Sequence, residues 1–198
     1  LAVISLTGGL ASGKSTAAKY LGDKGAFVID ADVLGHRAYD PGTQAYQEVV
    51  ATFGDELVSA DGQIDRKVLG GKVFGKPEEL KKLTDIVWPE IRRQAESAIR
   101  AALAEQPNRL VILEAAVLFE AGWDDIAEEN WVVVVEPAIA VQRAIARDGF
   151  DQEAVQKRLD SQLSNAERSA QADHIINNSG ELADMLAQLD AELTRLQS

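Results

Sequence analysis

The sequence predicts an α/β fold built on a parallel sheet buried on both faces. Three observations carry that expectation. Short apolar runs are near-continuous instead of alternating, as strands covered on both sides require. These runs alternate with segments whose apolar residues recur at helical spacing, which points to right-handed strand–helix–strand crossovers. A glycine-rich stretch, "GGLASGKST" at 8–16, joins the first apolar run to the first helical one.

The elements follow in order along the 198 residues. Ala2 to Thr7 reads as a buried strand, Lys14 to Asp23 as a helix, and Phe27 to Ile29 as a second short strand. From Asp32 to about Glu105 the pattern is mostly helical, with breaks at "DPG" (40–42), "ADGQ" (60–63), "GKP" (75–77) and Pro89. That stretch is too long for an ordinary crossover and reads as a helical subdomain. Leu110 to Glu114 and Trp131 to Glu136 are further strands. Two helical stretches follow, then the apolar "HII" at 174–176, and a closing helix over Glu181 to Leu196. There is no internal repeat and no low-complexity tract.

Composition narrows the function classes. Hydrophobic residues make up 46% and charged residues 26%, ordinary for a globular domain. The longest apolar run, Trp131 to Val135, falls far short of the roughly 20 residues that span a bilayer. No signal peptide is expected, because no basic segment precedes a long apolar one at the N-terminus. The absence of cysteine excludes thiolate metal sites and fits a cytoplasmic location. A net charge of −12 repels nucleic-acid phosphates at long range, so a nucleic-acid partner is not expected. A phosphorylated small molecule would need a local basic pocket.

"GGLASGKST" fits G-x-x-x-x-G-K-[ST] through Gly8, Gly13, Lys14 and Ser15, in the strand–loop–helix context that the motif requires. Glycines let backbone N–H groups of Gly9, Ala11, Ser12 and Gly13 turn inward around phosphate oxygens. The helix N-terminus adds partial positive charge. Lys14 can reach the β- and γ-phosphates, the Ser15 hydroxyl can ligate Mg²⁺, and Thr16 suits a lower phosphate. Chain length then favours a small kinase. The base-reading N-K-x-D segment of GTPases is absent, and a motor ATPase needs more chain.

The sequence resembles the dephospho-CoA kinase family. The resemblance rests on "LTGGLASGKST" (6–16), "VIDADVLGHRAYDPGT" (28–43), "ADGQIDRKVLGGKVF" (60–74), "LFEAG" (118–122), "RAIARDG" (143–149) with Arg158 and Gln162, and "ADHIINNSG" (172–180). It implies transfer of the ATP γ-phosphate to the ribose 3′-hydroxyl of dephospho-CoA, the last step of coenzyme A biosynthesis, with Mg²⁺ as cofactor. It also implies a P-loop core with a five-stranded parallel sheet over 1–31, 108–137 and 172–198. A helical CoA-binding subdomain would occupy 32–107 and a lid 138–171. No protein partner or membrane is implied. Three positions depart from the family pattern: Ala11 replaces a P-loop glycine and should be tolerated if its φ is negative. Glu114 replaces an aspartate, which puts a water-mediated metal role in doubt, and Trp88 replaces a histidine.

Asp30 and Asp32 end the second strand, at the sheet edge where ligands bind in open α/β folds. A kinase acting on an alcohol needs a carboxylate to orient the hydroxyl and take its proton. The family match gives that role to Asp32; capping of a helix from Val33 is the alternative, and the two can coexist. Asp30 is expected to support the turn. Arg143 and Arg147, four apart on a predicted helix, share one face and could converge on phosphates, or could form a solvated face paired with Asp148, Asp151 or Glu153. By resemblance Arg147 contacts ATP, Arg66 and Trp88 contact the acceptor, and Asn177 lies near adenine. Their plainer readings are a salt bridge of Arg66 with Asp61 or Asp65, a core tryptophan, and a turn asparagine. His36 and His174 lack metal-ligand spacing, and Trp123 and Trp131 read as core. A nucleotide kinase and a non-catalytic ATP-binding protein are the competing classes.

Overall fold

A computed structural model describes residues 2–197 and divides the chain into two compact units. One takes the chain up to Asp30 together with Ile99 onward; the other is Ala31–Ala98.

The first unit is built on five parallel strands, β1 (Val3–Gly8), β2 (Phe27–Asp30), β3 (Val111–Glu114), β4 (Glu129–Val134) and β5 (His174–Asn177), in the order β2-β3-β1-β4-β5. The expected five-stranded parallel sheet is therefore present. Register aligns the chemistry. Leu6 and Asp30 both pair with Glu114, Gly8 pairs with Val133, and Val134 pairs with Asn177. All five strands thus end at one edge, where the loops that can hold a ligand begin. Helices α1 (Lys14–Asp23), α6 (Pro137–Asp148), α7 (Gln152–Asp160), α8 (Asn165–Ser169) and α9 (Leu182–Gln197) belong to this unit.

The core follows from the apolar runs. Ile4, Leu6, Ile112, Trp131, Val133 and Ile176 of the sheet pack with Leu21 of α1 and with Met185 and Leu189 of α9. Ala17 and Ala18 are small enough to bring α1 close to the strands. Each large apolar side chain sealed there is worth about 1.5–3 kcal/mol.

In the second unit, α2 (Ala31–Arg37), α3 (Gln44–Phe53), α4 (Arg66–Val73) and most of α5 (Pro77–Glu105) have legible boundaries. Thr43 caps α3 by accepting from Tyr46 N at 3.0 Å, and Asp65 caps α4 by accepting from Lys67 N and Val68 N. Between them Gly62, with φ 81°, closes a turn across the Val58–Ile64 bridge. The breaks expected at 40–42, 60–63 and 75–77 are real.

Four sequence expectations need correction. Pro89 does not end a helix; α5 runs 29 residues through it. Its apolar face, with Val87, Ile91, Ala95 and Ile99 buried, outweighs one missing N–H. Helix α2 begins at Ala31, so Asp32 sits within the first turn and does not cap from outside. Strand β4 begins at Glu129, two residues before the valine run, because Glu129 and Asn130 pair with Ile4 and Ser5. Three helices, not two, lie between β4 and β5; the short α8 is stabilised by a Ser164–Glu167 capping box. No helix among the described residues is long and apolar enough to cross a membrane.

The loop from β1 to α1 has one further surprise. Ala11 has φ 55°, so the condition of a negative φ is not met. A left-handed alanine costs roughly 1–2 kcal/mol. Ala11 packs against the cluster of Val141, Ala144 and Val155, and that contact offsets part of the cost.

Two stability predictions follow from these backbone positions. Ala11→Gly should leave unfolding free energy within about 1 kcal/mol, relief of strain balancing the lost methyl, whereas Ala11→Val should lower it by roughly 2 kcal/mol or more, because a β-branched side chain resists this φ. Pro89→Ala restores a helical N–H and should gain about 1–2 kcal/mol in urea denaturation, less than the full helix cost of proline because alanine also frees the unfolded chain.

Candidate active site

The loop Gly8–Thr16 is shaped by contacts that explain its glycines. A Cβ on Gly8 would lie 2.4 Å from Ser12 Oγ and 2.7 Å from Val133 O. Gly13 has φ 91°, and a Cβ there would meet Asn178 Nδ2 at 2.2 Å. That amide instead donates to Ser12 O at 2.8 Å, tying the loop after β5 to the middle of the glycine-rich loop. Gly9 takes part in a turn through Ser12 N–H to Gly9 O at 3.1 Å. Lys14, Ser15 and Thr16 open α1, where its unpaired N–H groups and dipole favour an anion.

Glu114 is the centre of this arrangement. It ends β3 and is 5% exposed. Its Oε1 accepts from Lys14 Nζ at 2.9 Å and from Ser15 Oγ at 2.6 Å. Both groups that the motif assigns to phosphate and cation therefore converge on one buried carboxylate oxygen. Among the described residues no cluster of three or more His, Cys, Asp or Glu side chains could enclose a metal. Ser15 and Glu114 nevertheless offer hard oxygen donors side by side, which suits a divalent cation that takes its remaining ligands from phosphates and water.

On the other side of the loop, a cavity of about 380 Å³ is lined by Ala11, Gly13, Thr16, Arg143, Arg147, Asn178 and Leu182. The two arginines are brought to it together by α6. Arg143 donates from Nη1 to Asn178 O at 2.7 Å and from Nη2 to Gly180 O at 3.2 Å. Arg147 makes a two-pronged pair with Asp148, both contacts at 2.8 Å. That hydrogen-bonded pair raises the Arg147 pKa and lowers that of Asp148. The guanidinium is 62% exposed, so the pair is screened and costs little to open.

The other predicted residues fall as follows. Asp30 ends β2 beside Glu114 in register, and Asp32 lies in the first turn of α2. Arg66 starts α4; Asp61 and Asp65 accept instead from Gln63 N and from Lys67 N and Val68 N. It donates to His36 Nδ1 at 2.6 Å and stacks over the Tyr39 ring, 5.1 Å from its centroid. Trp88 is half-buried in α5. Asn177 is not among the cavity-lining residues: its Oδ1 accepts from Ser179 N, and its N–H donates to Gln188 Oε1. Its neighbour Asn178 reaches the cavity. Strand alternation could have found it, because a buried Ile176 puts Asn177 out and Asn178 back in. Trp123 and Trp131 are core.

Comparison with known proteins identifies the family. The dephospho-CoA kinase family model matches residues 2–184. A dephospho-CoA kinase of Geobacter sulfurreducens is 42% identical over 178 residues, covering 90% of each chain. One from Carboxydothermus hydrogenoformans is 38% identical over 197 residues, covering 100% of this chain and 94% of its own. The solved dephospho-CoA kinase from Campylobacter jejuni superposes with a TM-score of 0.72 at 27% identity, over 98% of this chain and 96% of that one. Shikimate kinase from Acinetobacter baumannii, at 15% identity and a TM-score of 0.52, shares the fold alone. A glycine-rich loop of the expected pattern, continuous similarity over nearly all residues, and a matching family model together show that the chain belongs to the dephospho-CoA kinase family.

Proposed function

We propose that the chain phosphorylates the ribose 3′-hydroxyl of dephospho-CoA, with ATP bound in the Gly8–Thr16 loop and Asp32 as the proton acceptor. The observation that carries the ATP site is the meeting of Lys14 and Ser15 on Glu114. Backbone N–H groups of Ala11 and of Gly13 to Thr16 hold the donor phosphates, since those of Leu10 and Ser12 are bonded to Gln162 Oε1 and Gly9 O, and Lys14 turns from Glu114 toward the β- and γ-phosphates. Ser15 and Glu114 would hold Mg²⁺, which would supply charge neutralisation at the transferred phosphoryl group when bound with ATP.

Arg143 and Arg147 face the same cavity as Gly13 and Thr16, and supply charge to phosphate oxygens. Arg147 exchanges its exposed Asp148 partner for a more highly charged one. Residues 138–171, which carry both arginines, act as the lid that excludes water during transfer. Asp32 orients the acceptor hydroxyl and accepts its proton as the oxygen attacks. Its support is its place two residues beyond Asp30, which lies beside Glu114 at the ligand edge of the sheet. Arg66, with Trp88, binds the acceptor; its held orientation against His36 and Tyr39 preorganises it for that contact. The reaction uses soluble substrates, and we place it in the cytoplasm with no obligate protein partner.

A coupled assay with ATP, Mg²⁺ and dephospho-CoA tests the reading. Absence of acceptor-dependent ADP formation, or a preference for a nucleoside monophosphate, would overturn it. Asp32→Asn should lower kcat by about 10²–10⁴-fold with ATP affinity nearly unchanged, while Asp30→Asn has a smaller effect on turnover. Glu114→Gln should weaken the Mg²⁺ dependence of nucleotide binding by roughly 10–100-fold, read by titrating Mg²⁺ against a fluorescent ATP analogue.

A further inference from the structure

Arg168 is buried in the first unit, at 2% exposure, yet is poorly satisfied. Its Nη1 donates to Leu163 O, and its Nη2 stands 3.8 Å from Glu120 Oε1, beyond hydrogen-bond reach. Among the described residues neither Nε nor Nη2 has a hydrogen-bond partner. Burial lowers its pKa against the opposing pull of Glu120 and Glu167. An apolar residue would fill this space at less cost than a buried cation with idle donors. A structural role in packing therefore leaves the charge unexplained.

What it touches explains it. Gly9 lies against the guanidinium so closely that a Cβ there would stand 3.1 Å from Nη1 and 3.6 Å from Gln162 Oε1. The same Gln162 Oε1 accepts from Leu10 N at 2.9 Å. Gln162 and Arg168 thus hold the two residues just ahead of Ala11–Thr16, the rest of the loop proposed above to bind ATP. This grip needs Gly9 to lack a side chain, although its φ is not positive. Burial at 2% exposure leaves the guanidinium weakly screened, so its field reaches the loop it touches.

We infer that Arg168 is a positioning residue for the donor polyphosphate: with Gln162 it fixes Gly9 and Leu10, and it sets a buried positive charge behind the phosphate loop without touching the nucleotide. This rests on the reading of Gly8–Thr16 as the ATP site and is independent of which acceptor is used.

The test is the affinity of purified variants for ATP, ADP and AMP with Mg²⁺, by calorimetry, beside thermal melting. For Arg168→Met the affinity for ATP should fall about tenfold or more and that for AMP by less than about twofold, because the loss follows the phosphates near the loop. Arg168→Lys should recover a large part of the ATP loss by restoring charge. Gln162→Ala, at a half-buried position, should weaken ATP about threefold to tenfold, with KM for dephospho-CoA unchanged. Equal losses for ATP and AMP, or a lowered melting temperature with unchanged ATP affinity, would overturn the proposal. Should Arg168→Met fail to fold, Gln162→Ala decides it by the same ATP-to-AMP ratio. If wild type binds ATP but does not phosphorylate dephospho-CoA, only the acceptor assignment falls.

Discussion

The carboxylate of Glu114 lies almost wholly out of water at the end of a central strand. Such a group is stable only where hydrogen bonds and opposite charge replace its hydration. Lys14 and Ser15 provide both, and they reach it because the pairing of β1 with β3 sets Leu6 opposite Glu114. A slip of one residue in that register would turn Glu114 to the other face of the sheet and leave Lys14 without its partner. The parallel sheet, the start of α1 and the phosphate site are therefore one constraint. The extra methylene of Glu114 relative to aspartate falls within it: the longer arm lets the oxygen bond Ser15 directly at 2.6 Å.

A second set of contacts surrounds the loop from the far strands. Asn178 holds Ser12 by its side chain and Arg143 by its backbone, so the loop after β5, the phosphate loop and α6 are fastened at one residue. Gln162 and Arg168 fasten the opposite limb. The cradle is thus supported from both sides by segments distant in sequence, which is how a rigid anion site can be built from an irregular backbone.

What could be read from the sequence divides along the range of the interactions. Helix α1 and the strands are local patterns of apolar spacing, and they were legible to within two residues. The P-loop was legible because its chemistry is contiguous. Pro89 misled because a local rule was outweighed by the buried face of a 29-residue helix. Ala11 misled because its φ depends on packing against α6 and α7. Glu114 could be noticed as a departure, but its bonds to Lys14 and Ser15 span about a hundred positions of chain and need the sheet register to be seen. The choice of Asn178 over Asn177 lay within reach through strand alternation. Arg168 carries no local signal at all.

The grip on the loop after β5 also bears on how this chain can change over generations. Arg143 holds backbone carbonyls, of Asn178 and Gly180, and carbonyls survive any substitution at those positions. The bond to Ser12 belongs to the Asn178 side chain and does not. Gly13 is closed twice over, by its left-handed backbone and by the amide filling the space of a Cβ. Removing that amide lifts only one of the two bars. Drift can therefore begin at residue 178 with the α6 anchor intact, whereas a side chain at residue 13 still carries the left-handed backbone cost after the amide is gone.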